Sequence, residues 1–166
     1  MLDIKEESTK KLVEVVEDIK TCMFTTTDKY CNVFSRPMLT IKMDNEYCLW
    51  YFINRHSDKM KDISTGKQVT LVYSHPGKST YMNILGKCET VADENKTKEL
   101  WQPALKSYFP QGIEDPSLCL LKVVIDEAHY WDNAENDMIC LYKNESHNPY
   151  QTISESSSFI PQTSHW

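Results

Sequence analysis

The sequence predicts a mainly β fold, a single antiparallel sheet closed into a small barrel and flanked by two helices. Two observations carry this. Six or seven β-branched and aromatic runs recur along the first 142 of the 166 residues, joined mostly by short turns. Only two longer segments instead place their apolar residues at helical spacing.

Residues 5–20 read as the first helix, with Leu12, Val15, Val16 and Ile19 on one face and charged residues opposite. The next segment, Thr21-Cys22-Met23-Phe24-Thr25-Thr26-Thr27, turns β-branched and aromatic, and Asp28-Lys29 turns the chain. A second strand is expected over residues 30–43, with Pro37 confined to an edge or a bulge. Asp44-Asn45 leads into residues 46–53, where Leu49-Trp50-Tyr51-Phe52-Ile53 is the most apolar run of the chain. Residues 57–64 read as a short helix capped by Ser57, with Met60 and Ile63 turned inward. Residues 69–74 and 80–91 pair around His75-Pro76-Gly77-Lys78, and Gly86 marks a close backbone approach. A second long helix is expected over residues 93–108, opened by Asp93, anchored by Trp101 and stopped by Pro110-Gln111-Gly112. Strands at 118–125, 128–131 and 138–142 complete the sheet. Residues 1–142 thus read as one domain, and residues 143–166 as a polar, Ser-rich, loosely ordered tail that the fold does not need.

The formal charge of −6 argues against a nucleic-acid binder, which would normally show a basic stripe, while leaving room for a local basic pocket. No stretch of about 18 apolar residues could cross a bilayer, and the first residues carry no basic-then-apolar leader, so a cytoplasmic protein without membrane contact is expected. The six cysteines form no C-x-x-C pair and have no histidine at finger spacing, so no metal site is expected. Cys22, Cys48, Cys119 and Cys140 sit among apolar residues, as buried thiols do.

The chemistry concentrates between residues 36 and 59. Arg36 offers a bidentate fork, Ser57 a hydroxyl and Lys59 a point charge, and the helix expected at Ser57 adds backbone N–H groups. Adjacent antiparallel strands would bring these groups together around a phosphate monoester, with the apolar residues between them flooring a flat ring.

Several motifs resemble the pyridoxamine 5′-phosphate oxidase-like superfamily of FMN-binding split barrels. They are Arg36-Pro37-Met38, the 50–54 strand with Ser57-x-Lys59, Tyr81-Met82-Asn83-Ile84-Leu85-Gly86, Glu99-Leu100-Trp101, Tyr108-Phe109-Pro110-x-Gly112, Asp115-Pro116 and Tyr130-Trp131-Asp132. In order and spacing they are most similar to the bacterial general stress protein 26 branch, over residues 10–142. The resemblance implies a Greek-key-like split β-barrel and a homodimer with two FMN sites lined by both chains, FAD being the other flavin such a site could take. It implies that Arg36, Lys59 and Ser57 hold the phosphate. Pro37, Met38 and Leu39 would lie along the flavin, Ile53 and Asn54 would meet the ring or ribityl chain, and Trp131 would stand near the ring. It assigns no catalytic residue, and His56 reads as a solvated loop histidine without an orienting partner.

The chain departs from the family in four places. Ile53 stands where a threonine is usual, and Asp58 where the true oxidases have a basic residue. The substrate-phosphate arginine and serine have no counterpart in residues 93–108, and a C-terminal Arg-x-His is absent. Oxidation of pyridoxamine phosphate is therefore not expected. The functions left open are a flavin-dependent oxidoreductase acting on a small acceptor, a non-catalytic flavin carrier or stress sensor, and a dimeric scaffold that has lost its cofactor.

Overall fold

A computed structural model of the chain describes residues 4–57, 63 and 66–146. The amphipathic helix α1 (Ile4–Ile19) is followed by β1 (Thr21–Thr27), β2 (Val33–Leu39), β3 (Lys42–Met43), β4 (Cys48–Asn54), β5 (Lys67–His75) and β6 (Thr80–Val91). A short helix α2 (Glu94–Leu100) and two 3₁₀ turns, Pro103–Ser107 and Gly112–Glu114, precede β7 (Leu118–Asp132) and β8 (Asp137–Lys143). The eight strands form one antiparallel sheet in the order β2-β1-β5-β6-β7-β4-β3, with β8 added on β7. The sheet curls into a half-closed barrel with helices on its flanks, the split-barrel arrangement expected from the sequence.

Alternation explains the curl. On β1, Cys22, Phe24 and Thr26 are buried while Thr21, Met23 and Thr27 are exposed, so one face of the strand lines a core. That core joins Phe24, Tyr51, Leu71, Tyr73, Ile84 and Leu121 from the strands to Leu12, Val15 and Val16 of α1. At its centre the hydroxyl of Thr40 lies 2.7 Å from that of Tyr73 and 3.2 Å from that of Tyr51, and the two phenols are 3.0 Å apart. These groups satisfy one another in the interior, as buried polar atoms must. The expected close approach at Gly86 is present: a Cβ there would lie 2.6 Å from the carbonyl oxygen of Val124. Pro37 sits on β2, an edge strand, where its missing N–H costs no ladder bond.

Several expectations need correction. The strand expected over 30–43 is two strands, because the chain changes partner at Thr40-Ile41. The strands expected at 118–125 and 128–131 are one: Ile125 faces Gly86 and Glu127 faces Leu85, so Asp126 is accommodated as a bulge instead of ending the strand. The helix expected over 93–108 stops at Leu100. Asp93 does cap it, its carboxylate accepting from the N–H of Lys96, but Pro103 forces Gln102 into an extended conformation (φ −128°, ψ 137°). Trp101 accordingly caps the helix end and packs its ring edge-on to Phe52, 6.0 Å away. Of the four cysteines expected to be buried, Cys22 and Cys48 are, Cys119 is half-buried and Cys140 is exposed; Cys88 is buried as well. The helix expected over 57–64 falls largely on residues outside those described, as do residues 147–166 of the expected tail.

Candidate functional site

The site is built by a strand that changes partner. The N–H of Thr40 donates to the carbonyl of Lys20 (2.7 Å), and the next N–H, of Ile41, donates to Trp50 (2.9 Å). Upstream of this point the chain pairs with β1, Leu39 opposite Thr21. Downstream it pairs with β4, Lys42 opposite Trp50. Strands β2 and β4 therefore touch at the crossover and splay apart beyond it, with no ladder between them. β4 continues along β7 until Asn54 faces Leu118.

A cavity of about 390 Å³ fills this seam, within the usual range for a small-molecule site of roughly 300–1,000 Å³. β2 contributes Arg36, Pro37, Met38 and Leu39, β4 contributes Phe52, Ile53 and Asn54, and Ser57 stands at the mouth. Ile41 and Ile63 line it too, and the far wall is Leu105, Tyr108 and Phe109. Arg36 and Met38 lie opposite the buried Phe24 and Cys22, so their side chains turn toward the inner face. The Arg36 guanidinium stands 5.6 Å from the centre of the Phe24 ring, a cation–π contact that orients it.

The polar end of the cavity is held by a tight turn. Asn54 accepts the N–H of His56 on its side-chain oxygen (2.9 Å) and that of Ser57 on its carbonyl (3.1 Å). Arg55 pins the turn from outside, its N–H donating to Ser117 (2.8 Å) and its guanidinium to the carbonyl of Leu118 (2.7 Å). Asp115 supports that anchor: the hydroxyl of Ser117 donates to it (2.7 Å), followed by the N–H groups of Ser117 and Gln111. Those bonds, the Ser117 hydroxyl foremost, hold the Asp115 carboxyl below its ordinary value. Ile53 is 9% exposed and belongs to the core. It gives the cavity an aliphatic surface and no hydrogen-bonding group.

The lining suits a planar, mostly apolar ligand with one anionic end. Met38, Leu39, Ile41, Phe52 and Phe109 supply apolar lining, and Arg36, Asn54 and Ser57 supply hydrogen-bond donors. A phosphorylated flavin meets that description. Among the described residues no three His, Cys, Asp or Glu side chains gather to hold a metal ion.

Seven residues singled out in the sequence, Arg36, Pro37, Met38, Leu39, Ile53, Asn54 and Ser57, thus line one cavity. They do not come from adjacent strands, as expected: β2 and β4 are separated in the sheet by β1, β5, β6 and β7 and meet only because the sheet curls. Lys59 lies outside the described residues. Trp131 is not brought to this cavity within one chain. It stands thirteen residues along β7 from Leu118, the partner of Asn54, toward the opposite end of that strand. There its indole N–H donates to Asn133 (3.2 Å). Leu105, Tyr108 and Phe109 were missed, since a continuous helix would have carried them elsewhere; Pro103 was the signal that could have found them.

A larger cleft of about 660 Å³ lies beyond Arg55, between Glu94 and Lys98 of α2 and Glu114. Of its acids, Asp93 and Asp115 are committed to capping backbone N–H groups, and none of the seven residues above lines it.

Residues 7–149 match the family model described as pyridoxamine 5′-phosphate oxidase like. No curated protein matches the sequence. Among solved structures, the chain is similar to a Clostridium acetobutylicum protein related to general stress protein 26, with a TM-score of 0.69 and 20% identity over 83% of this chain and 99% of that one. It is also similar to the general stress FMN/FAD binding protein of Xanthomonas citri, with a TM-score of 0.66 and 19% identity over 93% and 99% of the two chains. A third is general stress protein 26 of Bacillus anthracis, with a TM-score of 0.61 and 20% identity over 78% and 98%. At these identities the structural likeness establishes the fold.

Proposed function

The chain belongs to the pyridoxamine 5′-phosphate oxidase-like family, and from that premise we propose that it stands in the general stress protein 26 branch and binds FMN, or FAD, in the seam between β2 and β4. The observation that carries this reading is the convergence of Arg36, Met38, Leu39, Ile53, Asn54 and Ser57 on one apolar-walled cavity. Arg36 and Ser57, with Lys59 after them in the chain, receive the phosphate; Pro37, Met38 and Leu39 lie along the ring; Ile53 and Asn54 meet the ring or the ribityl chain. The loss of a hydroxyl at Ile53 weakens binding by about 1 kcal/mol relative to a threonine there.

A bound flavin supplies hydride or electron transfer, and the protein orients it and shields it from water. We propose a flavin-dependent oxidoreductase that passes electrons from a nicotinamide cofactor to a small acceptor. Residues 93–108 contain no arginine to hold a second phosphate, which argues against turnover of pyridoxamine phosphate.

We further propose a homodimer. The outer face of β1, β2, β5 and β6 presents Met23, Val33, Leu39, Val72 and Tyr81, each 38% to 66% exposed, and apolar side chains grouped on one face suit an interface. Tyr130 packs against the core, so Trp131 next to it turns to this outer face. Two copies joined there can bring Trp131 of the partner subunit to the cavity that a single chain leaves without it. The barrel domain is taken as residues 1–142, extended by Lys143, the last residue of β8. The six unpaired cysteines suit the reducing cytoplasm. Among the described residues no helix is long and apolar enough to cross a membrane.

The test is the visible spectrum of the purified protein, before and after incubation with excess FMN and desalting. Retained flavin absorbance, bleached by NADH or NADPH, supports the oxidoreductase. Retained flavin that neither reductant bleaches favours a carrier or sensor, and a colourless protein that retains none leaves a scaffold.

A further inference from the structure

We infer that Tyr108 forms the aromatic wall that closes over the flat ring of the ligand in the seam cavity, and that its ring, not its hydroxyl, provides the affinity. This rests on the flavin reading above. Tyr108 is 71% exposed, whereas Phe109 beside it and Leu105 three residues earlier are each 4% exposed. The turn Pro103–Ser107 ends at Tyr108, whose N–H donates to the carbonyl of Leu105 (3.0 Å), and the N–H of Phe109 donates to the same oxygen (2.9 Å). Leu105 and Phe109 are sunk in a satellite core with Leu118, Phe52 and Ile41. The backbone under Tyr108 is therefore fixed on both sides while its side chain projects away from the packing.

No hydrogen bond or ring contact among the described residues holds the Tyr108 side chain. Tyr108 nevertheless lines the same cavity as Arg36, Met38 and Leu39. An aromatic face at the rim of an apolar slot is a stacking platform: a planar ligand that slides in covers it and recovers the burial that folding leaves undone. From β2 the inward-turned Met38 lines the same cavity, so the ligand ring would lie between that side chain and one phenol. Stacking needs only the ring, which separates this role from a hydrogen bond by the hydroxyl. The phenol has a second, optical consequence. A stacked tyrosine gives an electron to a photoexcited flavin and takes it back, quenching emission, which phenylalanine cannot do.

The experiment titrates FMN into the wild-type protein, Tyr108→Ala and Tyr108→Phe, reading affinity and the emission of the bound FMN. Ligand-free thermal melts show that the three fold alike, as expected for an exposed side chain. Tyr108→Ala should weaken binding about tenfold and brighten the bound FMN. Tyr108→Phe should keep the affinity within about twofold yet brighten the FMN as the alanine variant does. An alanine variant that matches a flavin-binding wild type in both readouts overturns the role of Tyr108 and leaves the cavity reading standing. A phenylalanine variant as weak as alanine assigns the affinity to the hydroxyl and overturns the stacking. A wild-type protein that binds no FMN overturns the cavity reading, and this inference with it.

Discussion

The closed and open ends of the seam between β2 and β4 draw on similar residues and put them to opposite uses. At the closed end Thr40, Tyr51 and Tyr73 are all buried, and their hydroxyls spend their hydrogen bonds on one another at 2.7 to 3.2 Å. Burial pushes both phenols well above the ordinary tyrosine range, so neither ionises in the folded protein. At the open end Arg36, Asn54 and Ser57 surround a cavity instead of a packed core. The two ends differ because the hydrogen-bonded ladder ends between them. Where strands remain paired, polar groups must be matched within the protein. Where one strand leaves, the same curled sheet makes space for something else.

The contrast should break first at the closed end. Replacing Tyr51 by alanine removes a ring with no exposure, packed edge-on to Phe24 at 5.6 Å, and takes one of two hydroxyl partners from each of Thr40 and Tyr73. A loss of about 3–5 kcal/mol is expected in urea unfolding. A loss below about 1 kcal/mol would mean that the cluster is a bystander. At the open end Arg36→Ala should do the reverse. FMN affinity should fall about 10- to 100-fold, the range for a lost charge-assisted hydrogen bond. Stability should fall less than in the Tyr51 variant, because Arg36 is only half-buried and its removal takes no fully buried core volume. Calorimetric titration beside a melt separates the two, and unchanged affinity would move the phosphate site elsewhere.

The smallest effect sharpens the comparison through the turn that frames the open end. Asp115 has a folded pKa held below the ordinary value, chiefly by the Ser117 hydroxyl. Its contribution is therefore present above the unfolded carboxylate range near about pH 3.9 and is lost as the pH falls through the lower folded value. Asp115→Asn should lower the urea midpoint slightly at neutral pH and flatten its decline on acidification. A variant whose midpoint falls with pH as steeply as the wild type would show that the carboxylate is not the group responsible.

Much of this was legible in the residues. The alternation in Thr21–Thr27, the apolar run 49–53 and the pairing of Lys67–His75 with Thr80–Val91 follow from local pattern and turn chemistry, and they were read correctly. The misreadings also have local causes. Asp126-Glu127 interrupts an apolar run without ending the strand, since a bulge absorbs one residue. Pro103 outweighed the helical spacing around it, because proline restricts the residue before it as well as itself.

By itself, then, the sequence determined the residue types that can hold an anion beside an apolar ring and the strands that carry them. Those are short-range matters of propensity, alternation and side-chain chemistry. Only the tertiary structure decided that β2 and β4, at separated positions in the sheet, meet across a seam, that Leu105, Tyr108 and Phe109 wall it, and that Trp131 stands far from it in the same chain. Curling a sheet is a collective result of twist and of burying one face. It places far-separated strands side by side without leaving a mark in either.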